Sequence, residues 1–119
     1  MLWVALGGAL GSVLRALAGF VIPAGRLPWA TIVVNVGGSL LIGWLMARFA
    51  PGGAAGEGSM RAQAFWVVGV CGGFTTFSTF SWQTIEQMQK GGWGAAAANV
   101  VLSVVLCLGA TWAGWKIAQ

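Results

Sequence analysis

The sequence contains no histidine, and its only acidic residues among 119 are Glu57 and Glu86. Without histidine there is no imidazole to serve as a base near neutral pH or to ligate a metal. Two isolated carboxylates are too few for a carboxylate cluster or a divalent-cation cage. The two cysteines, Cys71 and Cys107, lie far apart inside apolar runs without CxxC spacing, and read as small buried hydrophobes. These absences argue against an enzyme. Charge of either sign is also scarce: Lys, Arg, Asp and Glu make up 7% of the chain, against about 25% in a soluble domain. So few charges cannot coat a globule of this size in water. The net charge of +4 comes from basic residues scattered singly. That pattern fits anchors at lipid headgroups better than a nucleic-acid surface.

What the chain has instead is apolar length. Hydrophobic residues reach 58% and the mean hydropathy is +0.84. A bilayer takes about 20 helical residues to cross, which leaves room for four crossings in a single transmembrane domain over residues 1–119. The apolar segments run from about Leu2 to Ile22, Trp29 to Phe49, Gln63 to Gln89 and Trp93 to Lys116. Pro23, Gly25, Arg26 and Pro28 mark the first connection, and Lys90-Gly91-Gly92 the third. Between the second and third segments Pro51 to Ser59 forms a Gly-rich linker. The first segment lacks a basic n-region and a small-residue cleavage site, and so reads as a retained span. Trp3, Trp29, Trp66, Trp93 and Trp115 fall near segment ends, as an interfacial aromatic belt requires.

Charge gives almost no orientation signal. Four spans place Arg48, Arg61 and Lys116 on one side and Arg26 and Lys90 on the other. The positive-inside rule has little to act on, which suggests insertion in both orientations and antiparallel self-pairing. Small residues spaced by four, Gly7/Gly11 and Ser39/Gly43, allow close helix approach. They serve a dimer seam and packing within one chain equally well.

Polar groups inside apolar spans are costly and mark a pathway or a helix contact. Arg15 is the costliest, at about 2.5–3.5 kcal/mol on insertion scales at mid-depth. It is either an anchor that snorkels to an aqueous mouth or a charge that draws anions inward. Asn35, inside Val33-Val34-Asn35-Val36, carries an amide suited to an anion or to capping a carbonyl of another helix. In the third segment, Gly72 to Ser81 combines two glycines with five hydroxyls. Adjacent glycines followed by threonines disfavour a continuous helix. The segment is either broken near mid-membrane, with freed carbonyls able to hold a monovalent cation, or merely kinked by back-bonding hydroxyls. Phe77 and Phe80, at i and i+3, share a face. They are either core or a pair of electropositive ring edges beside an anion path. Asn99, Ser103, Cys107 and Thr111 recur every four residues on the fourth span, as a polar seam or a track of donors.

Three of these stretches resemble one family. Gly7 to Arg15 resembles the GGxxGxxxR opening of the Fluc fluoride channels, also called CrcB. Thr31 to Ser39 is similar to their second-span TLxVNxxGS pattern, and Gly72 to Ser81 to their GGFTTFSTFS signature. The resemblance covers all four spans in order. It implies an all-α membrane protein of four transmembrane helices with the third broken near mid-membrane, assembled as an antiparallel, dual-topology homodimer in the cell's inner (plasma) membrane. It further implies fluoride as the ion carried, two pores, and one central structural sodium ion held by the carbonyls of Gly72 and Thr75. By the same likeness Asn35, Phe77, Phe80, Ser103, Cys107 and Thr111 line the fluoride pathway, and Arg15 stands as vestibule charge or anchor. Two departures stand out: Cys107 replaces a commoner hydroxyl with a weaker donor, and Gln83 stands where the family often has Glu.

The absence of any acid deep in a span argues for passive flow over proton coupling. A rival reading, a small dual-topology proton-coupled multidrug transporter, needs an acid in the first span, and Leu2 to Ile22 has none. A structural subunit without transport is a second rival, but it leaves the hydroxyl-rich third span without a purpose.

Overall fold

Four stretches are both helical and apolar enough to cross a bilayer: Leu2–Val21, Trp29–Phe49, Met60–Gln89 and Trp93–Ile117. They are seen in a computed structural model that describes residues 1–50, 52 and 60–119. Among the described residues there is no strand. The expected spans are all present, and no end is shifted by more than three residues. The Gly-rich linker over residues 51–59, with Glu57, lies outside the described residues apart from Gly52.

The third span is not uniform. It opens as an α-helix, Met60–Gln63, widens into a π-helix over Ala64–Cys71, and returns to α over Gly72–Phe74. Thr75 (φ −81°, ψ 156°) and Thr76 (φ −151°, ψ 111°) are then extended, and a new helix runs over Phe77–Gln89. The glycines of the Gly-Gly pair are themselves helical, and the interruption falls on the threonines that follow. Nothing in the residue pattern of Ala64–Cys71 announces the π-helix.

Two close-packed pairs build the bundle. The first span lies along the upper half of the third, backbone against backbone. A Cβ on Gly7 would strike the Phe65 carbonyl oxygen, and one on Gly11 would strike the Val70 carbonyl oxygen and come within 2.7 Å of the Phe74 nitrogen. The fit is reciprocal, since a Cβ on Gly69 would sit 2.8 Å from Gly7 Cα. The second span packs in the same way on the fourth, where Gly43 seats against Thr111 and Gly114 against Leu40 and Trp44. The Gly7/Gly11 pair therefore serves a seam within one chain, as does Gly43. Close approach of this kind replaces the hydrophobic drive that lipid cannot supply.

The chain is apolar on the outside. Phe20, Val105 and Trp112 are among many large apolar side chains that stay exposed, while the apolar core is confined to Ile32, Val34, Leu45, Val70, Cys71 and Ala96. Thr84, Asn99 and Ser103 are buried as well. This inversion suits a hydrocarbon solvent, which rewards burying polar groups together.

The seams give a direct test. Gly11→Val is expected to lower the midpoint of thermal unfolding in detergent micelles, by the equivalent of about 1–3 kcal/mol of overpacking. Gly109→Ala, where an added Cβ meets nothing within 4 Å, is expected to leave the midpoint unchanged or raise it.

Candidate functional site

A helix broken away from water must satisfy the backbone groups it frees. Asn35 does this from the second span. Its Oδ1 accepts the Thr76 N–H at 2.7 Å, and its Nδ2 donates to the Thr76 carbonyl at 3.1 Å. One side-chain amide thus replaces both hydrogen bonds of a single extended residue. Gly38, one turn along, leaves the space that the Thr75 methyl fills. Of the two roles open to Asn35 from sequence, this geometry realises the backbone cap.

The same residues recap both helix ends. Thr75 donates its N–H and its hydroxyl to the Cys71 carbonyl, at 3.0 and 2.8 Å. The Thr76 hydroxyl accepts the Thr79 N–H at 3.2 Å as N-cap of Phe77–Gln89, and lies 3.0 and 3.3 Å from the Thr79 and Ser78 hydroxyls. The carbonyls from Gly72 to Thr75 lose their helical donors as a result. The Thr76 N–H, which a continuous helix would give to Gly72, goes to Asn35. The Thr79 N–H, which would go to Thr75, goes to the Thr76 hydroxyl. Neutral carbonyl oxygens freed in this way are ligands suited to a hard monovalent cation.

Beside the interruption lies a groove of about 540 Å³. Asn35, Gly72, Thr75, Phe77, Phe80, Ser103 and Cys107 all line it, and among the described residues no acidic one does. The Phe77 and Phe80 rings stand 5.4 Å apart, centre to centre, tilted by 47°. Phe77 is 78% exposed on the single chain, at the open side of the groove. Thr111, expected on the pathway, and Arg15, expected as vestibule charge or anchor, are not among the residues lining this groove. Thr111 sits in the seam between the second and fourth spans, its carbonyl against Gly43. Arg15 lines a separate cavity of about 690 Å³ with Arg26, Gln83, Glu86, Gln87 and Lys90. Lys90 pairs there with Glu86 at 2.9 Å, and the buried Oε1 atoms of Gln83 and Gln87 have no partner. Thr76 lines both cavities, so the interrupted backbone is the partition between them.

Below the groove a hydrogen-bonded chain joins the fourth span to the third. Ser103 Oγ lies 3.3 Å from Asn99 Oδ1, Asn99 Nδ2 lies 2.9 Å from Thr84 Oγ1, and Thr84 Oγ1 donates to the Phe80 carbonyl at 2.8 Å. Sequence reading singled out neither Thr76 nor Thr84. The one available signal was the hydroxyl of Thr76 three residues before Thr79, the spacing of a helix cap.

The Asn35 clamp predicts a large stability effect for a small change. Asn35→Ala orphans two backbone groups at about 1–3 kcal/mol each, and is expected to lower the thermal midpoint in micelles sharply. Ser81→Ala removes only an exposed back-bond to Phe77 and is expected to shift stability by no more than about 0.5 kcal/mol.

The sequence matches the family described as "CrcB-like protein, Camphor Resistance (CrcB)" over residues 2–115. A protein of Opitutus terrae named "Fluoride-specific ion channel FluC" is 51% identical over 116 residues, which cover 95% of this chain and 87% of that one. Proteins of the same name from Rhodospirillum rubrum and Paramagnetospirillum magneticum are 50% and 49% identical, covering 95% and 93% of this chain and 89% and 88% of their own. With the match running through all four apolar helices, the chain belongs to the CrcB-like family.

Proposed function

We propose that this protein is a passive, fluoride-selective channel that lets fluoride leave the cell. It is a multi-pass membrane protein of an ion-channel family and not an enzyme. One observation carries the reading: in a chain half identical to proteins named as fluoride channels, Asn35, Phe77, Phe80, Ser103 and Cys107 share one groove. Fluoride is small and strongly hydrated, so a selective path must replace its water with several donors that each hold it loosely. Ring edges, amides and hydroxyls do so without trapping the ion as a buried cation would. In this reading Arg15 raises anion concentration in its own cavity, and Thr111 continues the polar stripe beyond Cys107. The multidrug-transporter alternative finds no support in the family match, and the first span holds no acid.

The finer reading has two chains paired antiparallel, with two pores and a sodium ion between them. Its support is the pair of carbonyls, Gly72 and Thr75, whose helical donors are diverted, and the exposure of Gly72 and Phe77 on one chain. When bound, sodium would supply fixed positive charge where two helix interruptions meet.

Liposomes loaded with fluoride or chloride and carrying the purified protein test the function. Wild type is expected to release fluoride rapidly without a proton gradient and to retain chloride. Phe80→Ile is expected to cut fluoride efflux at least tenfold while size-exclusion chromatography shows an unchanged oligomer. Equal release of both halides would remove the assignment. Exchanging sodium for N-methylglucamine during purification is expected to raise the monomer fraction, measured by cross-linking; no change would remove sodium from the interface.

A further inference from the structure

The chain from Ser103 to Phe80 has a direction that donor chemistry fixes. The Thr84 hydroxyl holds one proton, and it is committed to the Phe80 carbonyl 2.8 Å away, because two acceptors would repel at that distance. Thr84 Oγ1 can therefore only accept from Asn99, which places the Asn99 Nδ2 against it at 2.9 Å. The other end of that amide, Oδ1, has no proton to give. The Ser103 hydroxyl must then donate to it, across 3.3 Å. All three protons run in one sense, from Ser103 on the fourth span to the Phe80 carbonyl on the third, and the Asn99–Thr84 bond is the one that crosses between the spans.

Asn99 is 0% exposed and lines neither cavity, whereas Ser103 lines the groove. The proton that Ser103 would offer a passing anion is therefore turned away from the groove and held by Asn99. We propose that Asn99 is a positioning residue for permeation. It retains the Ser103 proton through a long hydrogen bond, and an anion in the groove must draw that proton over. Thr84 fixes the amide so that only Oδ1 can face Ser103. This competition keeps Ser103 from holding the anion tightly, which favours release over binding. The inference rests on the proposed channel function.

The test is a double-mutant cycle on single-channel fluoride current against fluoride concentration. Asn99→Leu removes the competing acceptor with little change in volume. It is expected to lower the half-saturating fluoride concentration about two- to tenfold, the range one neutral hydrogen bond spans, and to lower the maximal current. In a Ser103→Ala background the same substitution is expected to shift half-saturation by less than about 1.5-fold, since no proton remains to release. A shift of equal size in both backgrounds would show that Asn99 acts only through packing, and would overturn the proposal. If Asn99→Leu does not assemble, Thr84→Val frees the amide from its anchor and is expected to give the same dependence on Ser103. Absence of fluoride current in wild type would instead refute the channel reading itself.

Discussion

Inside a bilayer, a polypeptide has no water to complete its backbone hydrogen bonds, and every departure from a helix must be repaired by another part of the chain. In this protein the departure is two residues long, at Thr75 and Thr76, and the repair is one amide, Asn35. Much else follows from that pairing. Gly38 must be small so that Thr75 fits against the second span. Thr76 must carry a hydroxyl so that the lower helix has a cap. Because Asn35 and the Thr76 hydroxyl take the N–H groups in question, the carbonyls of Gly72 and Thr75 are left to face other ligands. The interruption is thus a place where the fold trades internal hydrogen bonds for coordination capacity.

Polarity is arranged by depth of burial rather than by surface. Asn99, Ser103 and Thr84 are all buried, and they are linked end to end. In water such a network would compete with solvent, but in hydrocarbon it is among the few ways to hold two helices with a definite register. The contact between the lower third span and the fourth rests on these side chains, whereas the other two seams rest on bare backbone at glycine. A polar seam and a glycine seam do different work. The first sets which protons are free, and the second sets how close the helices come.

Much of this was legible in the sequence. Hydropathy and length gave four spans, and the positions of Pro23, Pro28 and Gly91 marked their ends. The small pair Gly7/Gly11 announced a close contact, though its partner, the third span of the same chain, was not readable. Gly72 to Ser81 marked the unusual segment, glycines and threonines together, without saying which of them is extended; the chain departs from the helix at Thr75 and Thr76. Propensity ranks glycine as the breaker, whereas here Gly73 stays helical and packs directly against the backbone of Gly8. Thr111 shows a second limit. A four-residue stripe defines a face but not which neighbour meets its backbone, and at the last position of this stripe the Thr111 carbonyl packs on Gly43. The direction of the Ser103–Asn99–Thr84 chain needs three distances at once and has no counterpart in a pattern of residues.

The π-helix over Ala64–Cys71 bears on how this protein can vary in length. A single residue inserted or deleted between Met60 and Phe74 would rotate everything after it out of register with its neighbours. Gly69 and Gly73 would then swing away from the first span, and Thr75 away from Gly38. The residue count from Phe65 to Thr75 is thus set by contacts at both ends. Differences in length among members of this family are therefore to be sought in the connections and at the termini.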